Sequence, residues 1–268
     1  MISVIMSVYN AEKYLEKAVE SILTQSYHNF EFIIINDKSK DNSADIISKY
    51  ADQDQRIKYI ENERNRGLTY SLNKGLELAK GEYIARMDAD DISTSDRLKK
   101  QVDYLKKNKE ISLIGTSAYN IDENGKIIAE RNVPLEYEEI KRNINLVNPI
   151  IHPSVMFKKK DILDIGGYNE EFKKVQDYEL WFRIIANGLK VENLSERLLY
   201  YRVNNQYFER KSLSYRITDI KVRWRGYKLL SLPIYKRYGI LVPIVLGITP
   251  PFILKVLYKY LKRLDPRN

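Results

Sequence analysis

The 268-residue chain has no cysteine, which removes disulfides, thiolate nucleophiles and cysteine-based zinc sites from consideration. Imidazole is almost as scarce. His28 and His152 are the only histidines, so a catalytic metal would have to be held mainly by oxygen. Internal repeats and low-complexity runs are absent, which argues against a solenoid or a largely disordered chain. The first apolar run, residues 2–8, is preceded by no charged leader or cleavage site, so no signal peptide is expected and a cytoplasmic location is. Residues 239–254 are uncharged, but sixteen residues with three prolines fall short of the roughly twenty that a spanning helix needs.

What remains is a folded composition, 44% hydrophobic and 30% charged, long enough for one large α/β domain with an appendage. The net charge of +9 is uneven. From Arg197 onward, sixteen Lys or Arg face three acids for +13, leaving −4 on residues 1–196. A basic tail on a mildly acidic body is expected to meet something anionic.

The pattern along the first hundred residues is an alternation of strands and helices. Residues 2–8 and 30–35 are short apolar runs, and the near-continuous hydrophobicity of the second predicts a strand covered on both faces, as in a parallel sheet. Between them Tyr14, Leu15, Ala18, Val19, Ile22 and Leu23 recur at helical spacing after Asn10, a candidate cap. Asp41 or Ser43 is expected to open a helix through Tyr50. Residues 56–60 read as a strand, and 69–79 as a helix ended by Gly81. Such alternation predicts a doubly wound sheet, whose ligands bind at the carboxyl ends of the strands. Three polar clusters lie there: Ser7 to Asn10, Asn36 to Ser39, and Asp88 to Asp91.

The last cluster follows the buried-looking run Tyr83-Ile84-Ala85. In an extended chain Asp88 and Asp90 face the same way, with the small Ala89 leaving room for a ligand to approach. Mg²⁺ or Mn²⁺, bridging substrate phosphates, is the partner that such oxygens favour. Asp91 and Ser93 stand between this role and capping a helix that starts near Ser95. Asp37 alone reads equally as a turn residue, and Tyr9 as core or as a ring for a flat base.

Over residues 2–203 the chain resembles the inverting family 2 glycosyltransferases of GT-A fold. The likeness rests on Ser3 to Asn10, Asn36 to Asp41, Asn65-Arg66-Gly67-Leu68, Asn73-Lys74-Gly75 and Gly81 to Asp91, in that order. It implies a GT-A α/β fold, a doubly wound and mostly parallel sheet flanked by helices. Residues 1–100 would be the nucleotide-sugar half, 101–203 the acceptor half, and 204–268 a helical basic and apolar appendage. It also implies that Ser7 and Tyr9 line the base, that Asp37 hydrogen-bonds it, and that Asp88 touches the nucleotide sugar. Asp90, with Asp88 and Asp91, would hold Mn²⁺ or Mg²⁺ against the diphosphate.

Further on, His152 to Phe157, Gly166-Gly167-Tyr168 and Gln176 to Arg183 resemble the family's acceptor half. By that resemblance Asp177 is the catalytic base, with a helix N-cap as its structural alternative. Trp181 is an acceptor platform or core. His152 and Arg183 contact diphosphate or acceptor, or tie the acceptor loop down. Two residues depart from the pattern: Gln176 stands where an acid is usual, and Ser7 where proline is common.

Residues 236–268 combine the uncharged stretch with Lys236, Arg237, Lys255, Lys259, Lys262 and Arg263. This composition suits an anionic membrane interface or a helical hairpin packed on the catalytic domain, and suits nucleic acid less. The sequence therefore predicts a metal-dependent transferase taking a nucleotide sugar, a UDP-sugar, to a glycan or lipid-linked acceptor, peripheral on the inner face of the cell membrane. Its rivals are a sugar nucleotidyltransferase, which should carry a Gly-rich phosphate loop that Ser7 to Asn10 lacks, and a non-catalytic nucleotide-binding module.

Overall fold

A computed structural model describes residues 1–203 and 213–248. One nine-stranded sheet runs through the molecule in the order β3-β2-β1-β4-β8-β6-β9-β5, with β7 paired to β6. Its first half is parallel: β1 (Ile2–Val8), β2 (Phe30–Asn36), β3 (Ile57–Glu61) and β4 (Tyr83–Asp88). The crossovers are α1 (Glu12–Leu23), α2 (Ser43–Gln53) and α3 (Leu68–Leu78). Alternation decides the faces. Ile2, Val4, Met6 and Val8 join one buried cluster with α1 and the helix α4 (Arg97–Lys107), while Ile5 joins another with α3.

The second half adds short antiparallel ladders to the expected, mostly parallel sheet. It consists of β5 (Ile92–Ser93), β6 (Ile111–Ile121), β7 (Ile127–Arg131), β8 (Met156–Lys158) and β9 (Lys190–Arg202). Here β8 pairs antiparallel to both β4 and β6, β7 to β6, and β5 to β9, while β6 and β9 are parallel. The short α5 (Tyr137–Asn143) and α6 (Lys159–Asp164) and the longer α7 (Gln176–Ala186) complete this half. The two halves therefore share one sheet, and β8 from the second lies directly against β4 of the first.

Two helix-boundary expectations also change. Asn10 does not cap α1. Its φ of 51° turns the chain, and its side chain accepts a hydrogen bond from the Lys40 N–H at 2.8 Å. Gly81 does not end α3, which stops at Leu78. It is needed because β1 passes so closely: a Cβ there would sit 2.5 Å from the Ser3 nitrogen.

The C-terminal unit consists of α8 (Leu213–Leu229), a 3-10 segment (Ile234–Ile240) and α9 (Leu241–Ile248). It packs against α7. Val222 and Tyr227 are fully buried, Tyr227 meets Phe182 edge-on at 6.0 Å, and a Cβ on Gly226 would strike the Phe182 ring. The described part thus behaves as a helical hairpin on the domain, and residues 204–212 and 249–268 of the expected appendage lie outside the described residues. No helix among the described residues is long and apolar enough to cross a membrane.

Candidate active site

Parallel pairing brings the three polar clusters together. Register places Ser7 between Ile35 and Asp88, and Val8 beside Asn36, so the carboxyl ends of β1, β2 and β4 form one edge. That edge borders a cleft of about 810 Å³ lined by Ser7, Tyr9, Asp37, Asp88 and Asp90. Tyr9 is 46% exposed, which settles its ring as cleft wall and not core. Asp37, by contrast, is buried and already engaged. Its Oδ1 accepts from Asn62 Nδ2 and the Arg66 N–H, both at 2.8 Å, and its Oδ2 from the Gly67 N–H at 2.7 Å. Asp37 thus organises the loop before α3 while it lines the cleft.

A second cleft, about 600 Å³, is lined by Arg86, Asp88, Asp90, Arg131, Asn148, His152, Lys173, Lys174, Gln176 and Asp177. The two clefts meet at Leu68, Asp88 and Asp90.

At this junction the ligand atoms of Asp88, Asp90 and Asp91 lie within 4.8 Å of one another. Asp91 does not cap α4, whose N-cap position is Asp96, and Ser93 does not cap it either. The Asp91 side chain is buried against β9, with Oδ1 accepting the Arg202 N–H at 2.8 Å and Oδ2 without a partner among the described residues. Burial, reinforced by the charges of Asp88 and Asp90, pushes its carboxyl well above the usual range. An all-carboxylate set with an orphaned buried oxygen fits a hard divalent cation, which would remove that penalty. Asp88 itself is ion-paired to the buried Arg86, two residues back on the same face of β4. Arg97 beneath the strand is fully buried. Its guanidinium is pushed down to about 9 by burial and by the charge of Arg86.

Asp177 is the second residue of α7, whose N-cap is Val175 in left-handed conformation. Its carboxylate is therefore not the cap. It borders the second cleft and accepts from Asn148 Nδ2 at 2.7 Å. Burial raises its pKa above the usual value, and the Asn148 hydrogen bond opposes part of that rise. His152 also borders this cleft, and its Nε2 lies 2.9 Å from the Tyr168 hydroxyl. Burial and the Arg86 charge hold it well below the usual histidine range, so it is neutral.

Trp181 and Arg183 do not reach either cleft. Trp181 is fully buried and meets His152 edge-on at 5.9 Å, so as a platform it is corrected to core. Arg183 is spent on Glu179 at 2.8 Å and on the carbonyls of Ile165 and Gly167, both at 2.7 Å. It ties the Gly166-Gly167 loop to α7 and contacts no ligand position.

Several residues of the site escaped the sequence reading. Arg86 was visible in principle, since alternation puts it on the face of Asp88. Asn148, Arg131, Lys173 and Lys174 lie in loops or at a strand end with no periodic signal. Arg202, which holds Asp91, lies 111 residues further along the chain.

Comparison with known proteins identifies the fold and the family. The chain superposes with a TM-score of 0.69 on Staphylococcus aureus TarS residues 1–349 in complex with UDP-GlcNAc, at 19% identity, covering 95% of this chain and 76% of that one. The fold is thus the GT-A transferase fold. Residues 3–166 match the model of glycosyl transferase family 2. The chain is 39% identical to an uncharacterized glycosyltransferase of Methanocaldococcus jannaschii over 96% of its length and 92% of the relative's. It is 38% identical to the O-antigen biosynthesis glycosyltransferase WbnJ of Escherichia coli, over 80% and 84% of the two chains. The protein belongs to glycosyltransferase family 2.

Proposed function

We propose that this glycosyltransferase moves a sugar from a UDP-sugar to a hydroxyl of a glycan or lipid-linked glycan, with inversion, in the assembly of a cell-surface polysaccharide or glycolipid. The observation that carries the reading is the meeting of two clefts at Asp88 and Asp90, with Asp177 in the lining of the second cleft and not of the first. A donor in one cleft and an acceptor in the other would approach each other from opposite sides at that junction.

In the donor cleft, Tyr9 would stack on the base, Ser7 would line it, and Asp37 would hold both the base and the loop that covers it. Asp88 would contact the nucleotide sugar. The cleft is lined by Asp37, Asp88, Asp90 and Glu123, while Lys13 is already paired to Glu123 at 3.2 Å. Such an acidic wall repels a bare diphosphate. Asp88, Asp90 and Asp91 would therefore hold Mn²⁺ or Mg²⁺, which when bound neutralises charge growing on the departing diphosphate.

In the acceptor cleft, Asp177 would take the proton from the acceptor hydroxyl as its oxygen attacks the anomeric carbon. The bond from that carbon to the diphosphate breaks as the new glycosidic bond forms, and the electron pair leaves with the nucleoside diphosphate. One base and one displacement from the opposite face give inversion. The raised pKa makes Asp177 a stronger base than an exposed aspartate. Arg131, Lys173 and Lys174 form no ion pair among the described residues, and they suit the phosphate of a lipid-linked acceptor.

Two comparisons support the finer assignments: TarS holds UDP-GlcNAc on this fold, and WbnJ is named for O-antigen synthesis. Thermal shift against a panel of nucleotide sugars tests the donor. UDP-sugars should stabilise the protein only with Mn²⁺ or Mg²⁺, and no stabilisation by any member would overturn the reading.

The C-terminal unit supports a peripheral place on an anionic membrane through residues 236–268. Ile234 and Tyr235 are 84% and 75% exposed beside Lys236 and Arg237, and Tyr238, Leu241 and Val245 are exposed as well. Anionic vesicles should retain the protein more than neutral ones, and equal retention would rule this out.

A further inference from the structure

The loop after α5 has no regular secondary structure, so its backbone carbonyls depend on outside donors. Those donors come from the two helices that flank it. From α7, the Tyr178 hydroxyl donates to the carbonyl of Ile144. From α8, Arg223 Nη1 donates to the carbonyls of Asn145 at 2.9 Å and Leu146 at 3.1 Å, and the Tyr227 hydroxyl donates to Asn145 at 2.7 Å. The Asn145 side chain in turn donates to the Lys236 carbonyl at 2.9 Å. Gly239 closes the clamp, because a Cβ there would lie 1.7 Å from the Asn145 oxygen.

These groups are sealed from water. Arg223 is 4% exposed and Tyr227 fully buried, and Asp219 at 2.8 Å balances the guanidinium charge. While Nε is held by Asp219, Nη1 is directed at the loop backbone. Three residues beyond the clamped peptide, Asn148 Nδ2 donates to Asp177 Oδ2 at 2.7 Å, while Asn148 Oδ1 accepts from the Ile150 N–H.

We propose that α8 and the 3-10 segment after it are positioning elements for the reaction: Arg223, Tyr227 and Gly239 fix the Asn145 peptide and, through Asn148, aim the carboxylate of Asp177. This rests on the reading of Asp177 as the base. None of the three residues lines either cleft, so their effect has to pass through the loop. The C-terminal unit is then a working part of the acceptor half, and not only a docking appendage.

The test uses the full-length protein with Mn²⁺ and whichever of UDP-glucose, UDP-galactose and UDP-GlcNAc it hydrolyses fastest, with water standing in for the acceptor hydroxyl. Tyr227→Phe deletes one hydroxyl with little change in packing. It should lower kcat about fivefold, the worth of one hydrogen bond, with the donor KM unchanged. In an Asn148→Ala background the same substitution should have no further effect on kcat, because the link it acts through is gone. Hydrogen exchange at residues 144–148 should quicken in Tyr227→Phe while residues 2–36 stay protected. Arg223→Lys, which keeps the charge beside Asp219, provides a second variant with the same expected pattern.

Equal loss of kcat in both backgrounds would overturn the proposal, as would unchanged kcat in Tyr227→Phe and Arg223→Lys, or a loss appearing only in KM. Full retained activity in Asp177→Asn would instead overturn the base assignment, so the two failures are distinguishable.

Discussion

The clefts proposed for donor and acceptor share Asp88 and Asp90, yet they are assembled in different ways. The donor cleft is lined mainly from the carboxyl ends of adjacent parallel strands β1, β2 and β4 and the segments that follow them, most of it within the first ninety residues. Its lining is rich in acids. The acceptor cleft draws on β4, the end of β7, the loops before β8 and α7, and α7 itself, and it gathers Arg86, Arg131, Lys173 and Lys174. Strand ends are aligned by register, whereas loops must be held one by one. This is why the donor side needs few clamps and the acceptor side needs Arg183 on the Gly167 loop and Arg223 on the Asn145 loop. The difference in charge suits the proposed ligands: the acidic cleft would take a diphosphate with its cation, and the basic one an anionic acceptor directly.

The comparison can be tested by breaking each cleft separately. Asp177→Asn should reduce transfer about a thousandfold while leaving the UDP Kd unchanged, as measured by kinetics and titration calorimetry. Comparable losses in both would show that the clefts do not divide the work. Asp90→Ala, or chelation of the metal, should abolish stabilisation by UDP, which at a hundredfold excess over Kd is worth about 2.7 kcal/mol. That change would be read as a lost thermal shift. Tyr9→Ala should weaken UDP binding about tenfold through loss of stacking on the base, with transfer at saturating donor little affected.

The smallest change expected is in a pH profile. As the proposed base Asp177 would have to be deprotonated, so kcat/KM should rise with pH through a midpoint above the ordinary aspartate value of 3.8, because burial raises that pKa. The Asn148 hydrogen bond favours the charged form, so Asn148→Ala should move this limb to still higher pH. A limb that stayed in place or moved down would argue that Asn148 does not act on the base.

Much of the first half was legible in the sequence. A near-continuous apolar strand such as Phe30 to Ile35 has few places to go other than a doubly covered sheet, and polar residues at its end have to emerge at the carboxyl edge. The acids proposed to hold a metal were visible for a related reason, since they directly follow a buried strand, although β4 itself ends at Asp88. The second half was read less well. β8 is three residues long and carries no periodic signal, so its antiparallel insertion between β4 and β6 was not foreseen. The roles of Trp181 and Arg183 turned on which face of α7 meets the core, and amphipathic spacing alone does not say where an aromatic ring stops being surface.

By itself, then, the sequence determined the strand and helix order of the first half, the absence of cysteine ligands from any metal site, and the family to which the chain belongs. These follow from local periodicity and from residue chemistry, which act over a few positions. Only the tertiary structure decided that Asp91 is buried against β9, that Asp37 is engaged by the loop before α3, and that α8 reaches the loop beside Asp177. Those outcomes depend on contacts between residues tens to more than a hundred positions apart. Burial and hydrogen-bond satisfaction select such contacts only after the chain has closed.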